Sequence, residues 1–423
     1  MKNRVVITGL GIVSPNGVGV PKFLNSIKNG VSGVRFFPEL QKLNFSCQIG
    51  AKPKVSEVEK TNYFTNLELK NFNSNGILYG VMAGLDALED AGIQKKEISE
   101  LPDWDLGVIF GTGTSGVEKF REAIYKLDAG KVRRLGSTTV GQTMASGISA
   151  YLGGKIGAGN RVTTNSSACA TGTEAIFMAY EQIASGTARK ILCGSCSDDG
   201  PYVWGGFDAM KVTTFKHNDQ PESGSRPLSA TASGFVPGSG AGALMLESME
   251  SASERGATIY AEVLGGHVNS GGQRLGGSMT APNSVAVQRC IKKALSHSEV
   301  KPQEIDYING HLTATIKDPV EIENWCVALG RDGSNFPYVN SLKSMVGHGL
   351  AASGSMEAVS AVLQLHHGFV FPNINCDDLH PEISNRIDPR CIPLEKIDVD
   401  LRTIVKASFG FGDVNACVIF RKI

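Results

Sequence analysis

Apolar positions along the chain alternate between two rhythms. Short continuous runs bounded by glycine predict buried strands, and stripes at three- and four-residue spacing predict helices. Val5 to Gly11 is the first run, entering the Gly-rich turn Gly9 to Gly17. Ile77, Val81, Leu85 and Leu88 then mark an amphipathic helix that stops near Gly92, and Leu106 to Phe110 is a strand running into Gly111-Thr112-Gly113. Arg161 to Thr164 reads as a brief strand, followed by a helix on Ile176, Ala179, Tyr180 and Ile183 that ends at Gly186. Lys190 to Cys193 and Ala243 to Leu246 are further strands. From Ile259 to Leu264 a second half opens with another strand. In it a helix on Val287, Ile291, Ala294 and Leu295, the linker Glu304-Ile305 and the strand Tyr307-Ile308-Asn309 repeat the earlier helix, its Glu97-Ile98 linker and its strand. Such a repeat predicts an internal duplication, with halves at 1–255 and 256–423 related by a pseudo-twofold axis. Alternating strands and helices in both halves predict a layered α/β fold with helices between two sheets.

Composition narrows the function classes. The 423 residues are 41% hydrophobic and 19% charged, a globular composition with enough chain for two sizeable cores. The 41 basic and 41 acidic residues cancel, so no global field recruits nucleic acid or an anionic membrane. An acidic partner has to be met by a local patch. No apolar run approaches the roughly 18 residues of a membrane span. The stretch Met1 to Gly9 passes directly into a strand, without the longer apolar region and cleavage site of a signal peptide. Nine cysteines, odd in number and without framework spacing, fit a reducing cytoplasm.

The candidate chemistry centres on Cys169, in Thr164-Asn165-Ser166-Ser167-Ala168-Cys169-Ala170-Thr171-Gly172-Thr173, where a predicted strand turns into a predicted helix. Unpaired N–H groups and the positive end of the helix dipole favour an anion there, so this thiol is expected to ionise readily. The same stretch fits an inert buried cysteine beside a tight turn. His311 follows the strand at Asn309, and His348 follows Asn340-Ser341-Leu342-Lys343-Ser344-Met345-Val346-Gly347 at another strand end. Either histidine alone reads equally as a structural residue satisfying hydrogen bonds. Together with Lys343 the three form a constellation for carbonyl chemistry, since neutral imidazoles can donate to a developing enolate oxygen and the lysine supplies positive charge. Gly9-Leu10-Gly11 lacks the third glycine of a dinucleotide fingerprint, and no cofactor is expected. Cys193-Gly194-Ser195-Cys196 has no second pair at zinc-ribbon spacing and reads as a buried strand end, so no metal is expected.

Ser167-Ala168-Cys169-Ala170-Thr171-Gly172, His311 and Lys343-Ser344-Met345-Val346-Gly347-His348 resemble the Cys-His-His site of elongating β-ketoacyl-acyl-carrier-protein synthases. The opening Val6-Ile7-Thr8-Gly9-Leu10-Gly11 and the closing Ser408-Phe409-Gly410-Phe411-Gly412 match that family too, so the resemblance spans essentially the whole chain. It implies a thiolase-like fold of duplicated α/β halves in a five-layer αβαβα sandwich. The implied reaction is a decarboxylative Claisen condensation between an acyl group held on Cys169 and malonyl-acyl-carrier-protein, in the synthesis of fatty-acid or specialised acyl chains. By resemblance, the backbone N–H groups of Cys169 and Phe411 form the oxyanion hole and Phe411 gates the cysteine. His311 and His348 bind the enolate oxygen, with Lys343, Glu357 and Phe409 in support. Thr313 and Thr315 hold the pantetheine arm. Lys131, Arg133 and Arg134 match positions that meet the acidic carrier protein. A homodimer is the usual assembly, and a heterodimer with a related subunit is the alternative. Chain-length factors, which typically lose the nucleophile, and thiolases, which use acyl-coenzyme A and a different cysteine and histidine set, are the rival readings.

The chain departs from the family pattern at several points. Gly310-His311-Leu312 stands for Ala-His-Gly, which is expected to put a bulky side chain beside the first histidine and reshape the channel. Leu228 to Gly234 replaces a charged stretch, Ser239 replaces an acidic residue, and Gly412-Asp413-Val414-Asn415 replaces Gly-Gly-Thr-Asn. These departures suggest a branch specialised for pigment, polyene or other secondary chains, with Gln142, Met144 and residues around Phe207 expected to line the pocket.

Overall fold

The computed structural model describes residues 3–423; Met1 and Lys2, which open the N-terminal stretch read above, lie outside the described residues. Ten strands carry the frame. In the first half they are β1 (Val5–Ser14), β2 (Leu106–Thr112), β3 (Val162–Thr163), β4 (Lys190–Ser197) and β5 (Gly240–Ser248). In the second they are β6 (Ala261–Ser270), β7 (Tyr307–Asn309), β8 (Tyr338–Asn340), β9 (Thr403–Gly410) and β10 (Val414–Arg421). The spatial order is β1-β5-β4-β2-β3 in one half and β6-β10-β9-β7-β8 in the other, the same permutation with the same pattern of antiparallel and parallel neighbours. Pairing of Val5, Val6 and Ile7 with Val263, Glu262 and Ala261 joins the two halves.

Six helices complete the layers: α1 (Asn75–Asp90), α2 (Gly147–Ile156), α3 (Thr171–Ala184), α4 (Ser284–His297), α5 (Asp318–Leu329) and α6 (Ser353–His367). The central core packs Ile176 and Ile183 of α3 and Val359 and Val362 of α6 against Ile7 and Leu244 on one side and Ile404 and Val418 on the other. One outer core packs α1 and α2 on the first half through Val81, Leu88 and Leu152. The other packs α4 and α5 on the second half through Ile291, Ile322 and Trp325. The result is five layers, helix–sheet–helix–sheet–helix, the thiolase-type sandwich.

Glycine sets two close approaches. A Cβ at Gly9 or Gly11 would lie 2.1 or 1.9 Å from a backbone carbonyl oxygen of α1, so this pair lets a helix sit on β1. At the centre, a Cβ on Gly172 would fall 2.3 Å from the Ser355 nitrogen, and one on Gly354 2.5 Å from the Thr173 nitrogen. The two middle helices therefore touch backbone to backbone at their first turns. That contact draws the turns preceding α3 and α6 together. Cys193 and Cys196, three residues apart on β4, face opposite cores and form no pair.

Candidate active site

The turn that carries Cys169 is built by the residues around it. Ala168 adopts a left-handed backbone (φ 47°), an unusual conformation for a side chain, and Thr171 Oγ1 secures it by accepting from the Ser167 N–H at 2.8 Å and donating to the Ala168 carbonyl at 2.6 Å. Cys169 is thereby presented just ahead of α3, 7% exposed. Gly410, at the end of β9, backs onto it: a Cβ there would lie 3.1 Å from the Cys169 nitrogen. The backbone N–H groups of Phe411 and of Cys169 itself favour the charged form of the sulfur.

The expected easy ionisation of Cys169 is corrected by the structure. Burial pushes its thiol up to about 11, opposed by the charge of Lys343 and by those two N–H groups. At this position desolvation outweighs the helix terminus, and the resting thiol is protonated at neutral pH.

His311 and His348 reach the same point from the other half, with Cys169 Sγ and one nitrogen of each ring within 4.8 Å of one another. The rings meet edge to face, centroids 5.6 Å apart. Nδ1 of His348 accepts the Leu350 N–H at 3.1 Å, so its neutral ring carries the proton on Nε2 and is a donor there. Buried Nδ1 of His311 has no hydrogen-bond partner among the described residues. Both imidazoles are held well below their usual range, first by burial and then by the Lys343 charge. They are neutral at pH 7, so each ring offers one N–H donor and one acceptor nitrogen.

The loop carrying His311 is tied to the first turn of α5. Glu321 accepts the His311 and Leu312 N–H groups at 2.7 Å each, and Asp318 accepts those of Thr313, Ala314 and Leu228 at 3.0, 3.2 and 2.9 Å. These carboxylates hold Leu312 (φ 22°) and Ala314 (φ 63°) in strained conformations. Burial raises them to about 7 and about 6. Lys343 Nζ donates to the His311 carbonyl at 2.5 Å and pairs with buried Glu357; its direct contact is thus with the first histidine rather than the second. Lys406, on β9, is a second fully buried cation on Glu357, at 2.8 Å. The sequence reading missed Asp318, Glu321 and Lys406; a lone lysine in the apolar run Thr403 to Phe409 was the one available signal.

A cavity of about 450 Å³ opens onto Cys169, His311 and His348, lined also by Thr313, Thr315 and Phe411. Phe409 packs edge to face on His311 with ring centroids 6.1 Å apart, and Phe411 packs 5.9 Å from Phe207. Lys131, Arg133 and Arg134 lie exposed on and beside a short helical turn, Val132–Arg134.

Three of the four departures from the family pattern take a different place from the one expected, while Ser233 and Gly234, which close the replaced stretch Leu228 to Gly234, do line the cavity. Leu312 does not narrow the channel: it is fully buried in the outer core with Ile322 and Trp325. Its room comes from Gly310, where a Cβ would sit 2.7 Å from Leu312 Cδ1, so the exchange of small and large residues across His311 is mutually compensating. Asp413 is buried and clamps the neighbouring loop by accepting the Gln273 and Asn283 N–H groups at 2.9 and 2.8 Å. Ser239 is buried ahead of β5. None of these three lines the cavity. Gln142, also expected there, spends its amide on the Asn73 N–H at 2.6 Å, on the Asn71 carbonyl and on Thr138.

A duplicated thiolase-type sandwich with a cysteine facing two neutral histidines is the frame of a condensing acyltransferase. Residues 2–252 match the β-ketoacyl synthase N-terminal domain and 260–377 the C-terminal domain. This chain belongs to the β-ketoacyl synthase family. It is 33% identical to 3-oxoacyl-[acyl-carrier-protein] synthase 1 of Escherichia coli K12 over 425 residues, 99% of each chain. Among solved structures it resembles the ishigamide ketosynthase/chain length factor (27% identity, TM-score 0.88, all of both chains). It also resembles a type II PKS acyl-carrier protein complex with its ketosynthase bound to the hexaketide (28%, TM-score 0.87, all of both chains).

Proposed function

We propose that this chain is a β-ketoacyl-acyl-carrier-protein synthase acting in acyl chain synthesis, with Cys169, His311, His348 and Lys343 as its catalytic set. The observation that carries the reading is the meeting of one cysteine from the first half with two neutral imidazoles from the second within 4.8 Å. We read residues 1–255 as the nucleophile half and 256–423 as the histidine half. Cys169 attacks the thioester of an acyl carrier protein. The new C–S bond forms, the carrier thiol leaves, and the thiol proton passes to it through a neutral imidazole. The oxyanion sits against the Cys169 and Phe411 N–H groups, each such donor contributing about 3 kcal/mol. Malonyl-carrier enters next, its pantetheine arm beside Thr313 and Thr315. The bond to carbon dioxide breaks, its electron pair moves onto the thioester oxygen, and the two imidazoles donate to that oxygen. The resulting carbanion attacks the acyl carbonyl on Cys169 and regenerates the sulfur.

The complete catalytic set favours this reading over a chain-length factor, and the Lys-Ser-Met-x-Gly-His context over a thiolase. The reaction calls on no metal or cofactor. No helix among the described residues is long and apolar enough to cross a membrane. Nine free cysteines, all buried, support a reducing compartment such as the cytoplasm. Association as a dimer with itself or a related subunit follows the family resemblance. Leu312, Ser239 and Asp413 do not touch the cavity and so give no support to a specialised chain.

Incubation with radiolabelled acyl-carrier, followed by peptide mapping and collection of carbon dioxide from malonyl-carrier, tests the assignment. Label on Cys169 with carbon dioxide release is expected; absence of either removes the reading. Charge reversal at Arg133 and Arg134 is expected to raise KM for carrier-bound substrate while sparing small thioester mimics. Unchanged kinetics with both removes the carrier contact.

A further inference from the structure

Behind the two histidines lies a charge arrangement that packing alone does not require. Glu357 of α6 is buried and faces two buried lysines, Lys343 through one carboxylate oxygen and Lys406 through the other at 2.8 Å. One lysine suffices to neutralise one carboxylate. A second buried ammonium leaves a net positive charge in the interior, which is costly to desolvate, and an apolar side chain would relieve that cost. Lys406 also donates to the carbonyl of Ala407 and to Ser408 Oγ at 3.0 Å, and Ser408 Oγ meets Thr173 of α3 at 2.9 Å. The ammonium therefore underlies the end of β9 that carries Phe409 and Phe411 and touches the first turn of the nucleophile helix.

We propose that Lys406 is a positioning residue for the condensation: shared with Lys343 through Glu357, its buried ammonium supplies net positive charge that both histidines and the developing enolate face. This inference rests on the catalytic roles assigned above to His311 and His348. The charged and titratable groups around the cluster come from every packed element: Lys343 and His348 from the turn before α6, Glu357 from α6, Glu321 from α5, His311 from its loop, Cys169 from the turn before α3, Tyr307 from β7 and Cys417 from β10. Burial is the strongest influence on the Lys406 ammonium and, with Lys343, lowers it from its usual range, while Glu357 and Glu321 favour the charged form. After burial and Lys343, Lys406 is a further cation disfavouring a proton on either imidazole. The same positive charge attracts the enolate oxygen formed when carbon dioxide leaves. A lysine of purely structural value would do neither.

Lys406→Met removes the charge and keeps Glu357 paired with Lys343, whereas Lys406→Arg keeps the charge. In Lys406→Met the NMR titrations of His311 and His348, and the acid limb of carbon dioxide release from malonyl-carrier, are expected to move upward by about one pH unit, with decarboxylation about tenfold slower. Lys406→Arg is expected to restore the wild-type profile. A folded Lys406→Met protein with unchanged titrations and acid limb overturns the proposal, as does an arginine variant that behaves like the methionine one. Wild-type protein supplies an arm that depends on no variant: titration of both imidazoles well below 6.5 is expected, and ordinary titration of either overturns the proposal. If wild-type protein releases no carbon dioxide, the reaction assignment fails instead, and the NMR arms still decide the effect of Lys406.

Discussion

The two halves share one strand order and place different chemistry at matching points. After the third strand of each, β3 and β8, a connecting segment leads into a central helix; Cys169 lies in that segment in the first half and His348, between two short helical turns, in the second. The second strand of each ends in Gly111-Thr112 followed by Gly113 in one half, and is followed by Gly310-His311 in the other. After the fourth strand, each half uses an acidic residue as a clamp. Asp198 accepts the Gly76 and Val117 N–H groups at 2.7 and 3.0 Å, and Asp413 accepts two loop N–H groups in the same manner. The buried ion cluster, by contrast, is confined to the second half, where Lys343, Glu357 and Lys406 stand behind the histidines. The difference teaches that the frame brings two turns together at the Gly172–Gly354 contact, while the proposed chemistry comes from loading one turn with a cysteine and the other with histidine and buried charge.

The largest expected effect breaks the comparison at its charge. Glu357→Gln leaves two buried ammoniums without a carboxylate and is expected to cost about 3–5 kcal/mol. Asp199→Asn in the first half, where Tyr79 donates at 2.8 Å and the Lys52 partner is 32% exposed, is expected to cost about 1–3 kcal/mol. Urea unfolding of both variants measures the contrast, and equal losses would deny that buried charge distinguishes the halves. Next in size is Gly310→Ala, expected to destabilise by about 1–3 kcal/mol through the clash with Leu312; on a Leu312→Ala background, which itself loses about 2–5 kcal/mol of buried packing, the further loss from Gly310→Ala is expected largely to vanish. Additive losses in that cycle would refute the compensation.

The smallest effect is in pH. His311 and His348 take up no proton in the fold where the unfolded chain does, so their contribution is present above 6.5 and lost as pH falls below it. Glu321, raised from 4.5 to about 7, has the opposite sign: it keeps its proton in the fold, and its contribution, full below 4.5, is lost as pH rises through 7. The two partly cancel between 4.5 and 6.5. Glu321→Gln is therefore expected to steepen the acid loss of stability by about 1.4 kcal/mol per pH unit in urea melts. An unchanged slope would remove Glu321 from the balance.

The repeat of strand, helix and linker was legible because buried strands and helix stripes are local patterns, and the motifs around Cys169, His311 and His348 carried the site by resemblance. What escaped is long-range. Glu321 and Asp318 open a helix as ordinary acidic residues, and only the fold turns them back onto the loop before it. Lys406 is one lysine in an apolar strand until α6 brings Glu357 beside it. At Cys169 the helix terminus and burial were both legible as opposing influences, and only the fold shows that burial wins. Leu312 looked like a channel wall because its compensation by Gly310 requires the side-chain direction to be known.

Crossing the halves tests the central claim most directly. Acyl-carrier labelling and carbon dioxide release are measured on Cys169→Ala, His311→Ala and His348→Ala. The account predicts that Cys169→Ala takes up no acyl label yet still releases carbon dioxide from malonyl-carrier. It predicts that each histidine variant takes the label while its carbon dioxide release falls by about a hundredfold or more. Loss of both activities in every folded variant, or acyl label retained without Cys169, would contradict the division of labour between the halves.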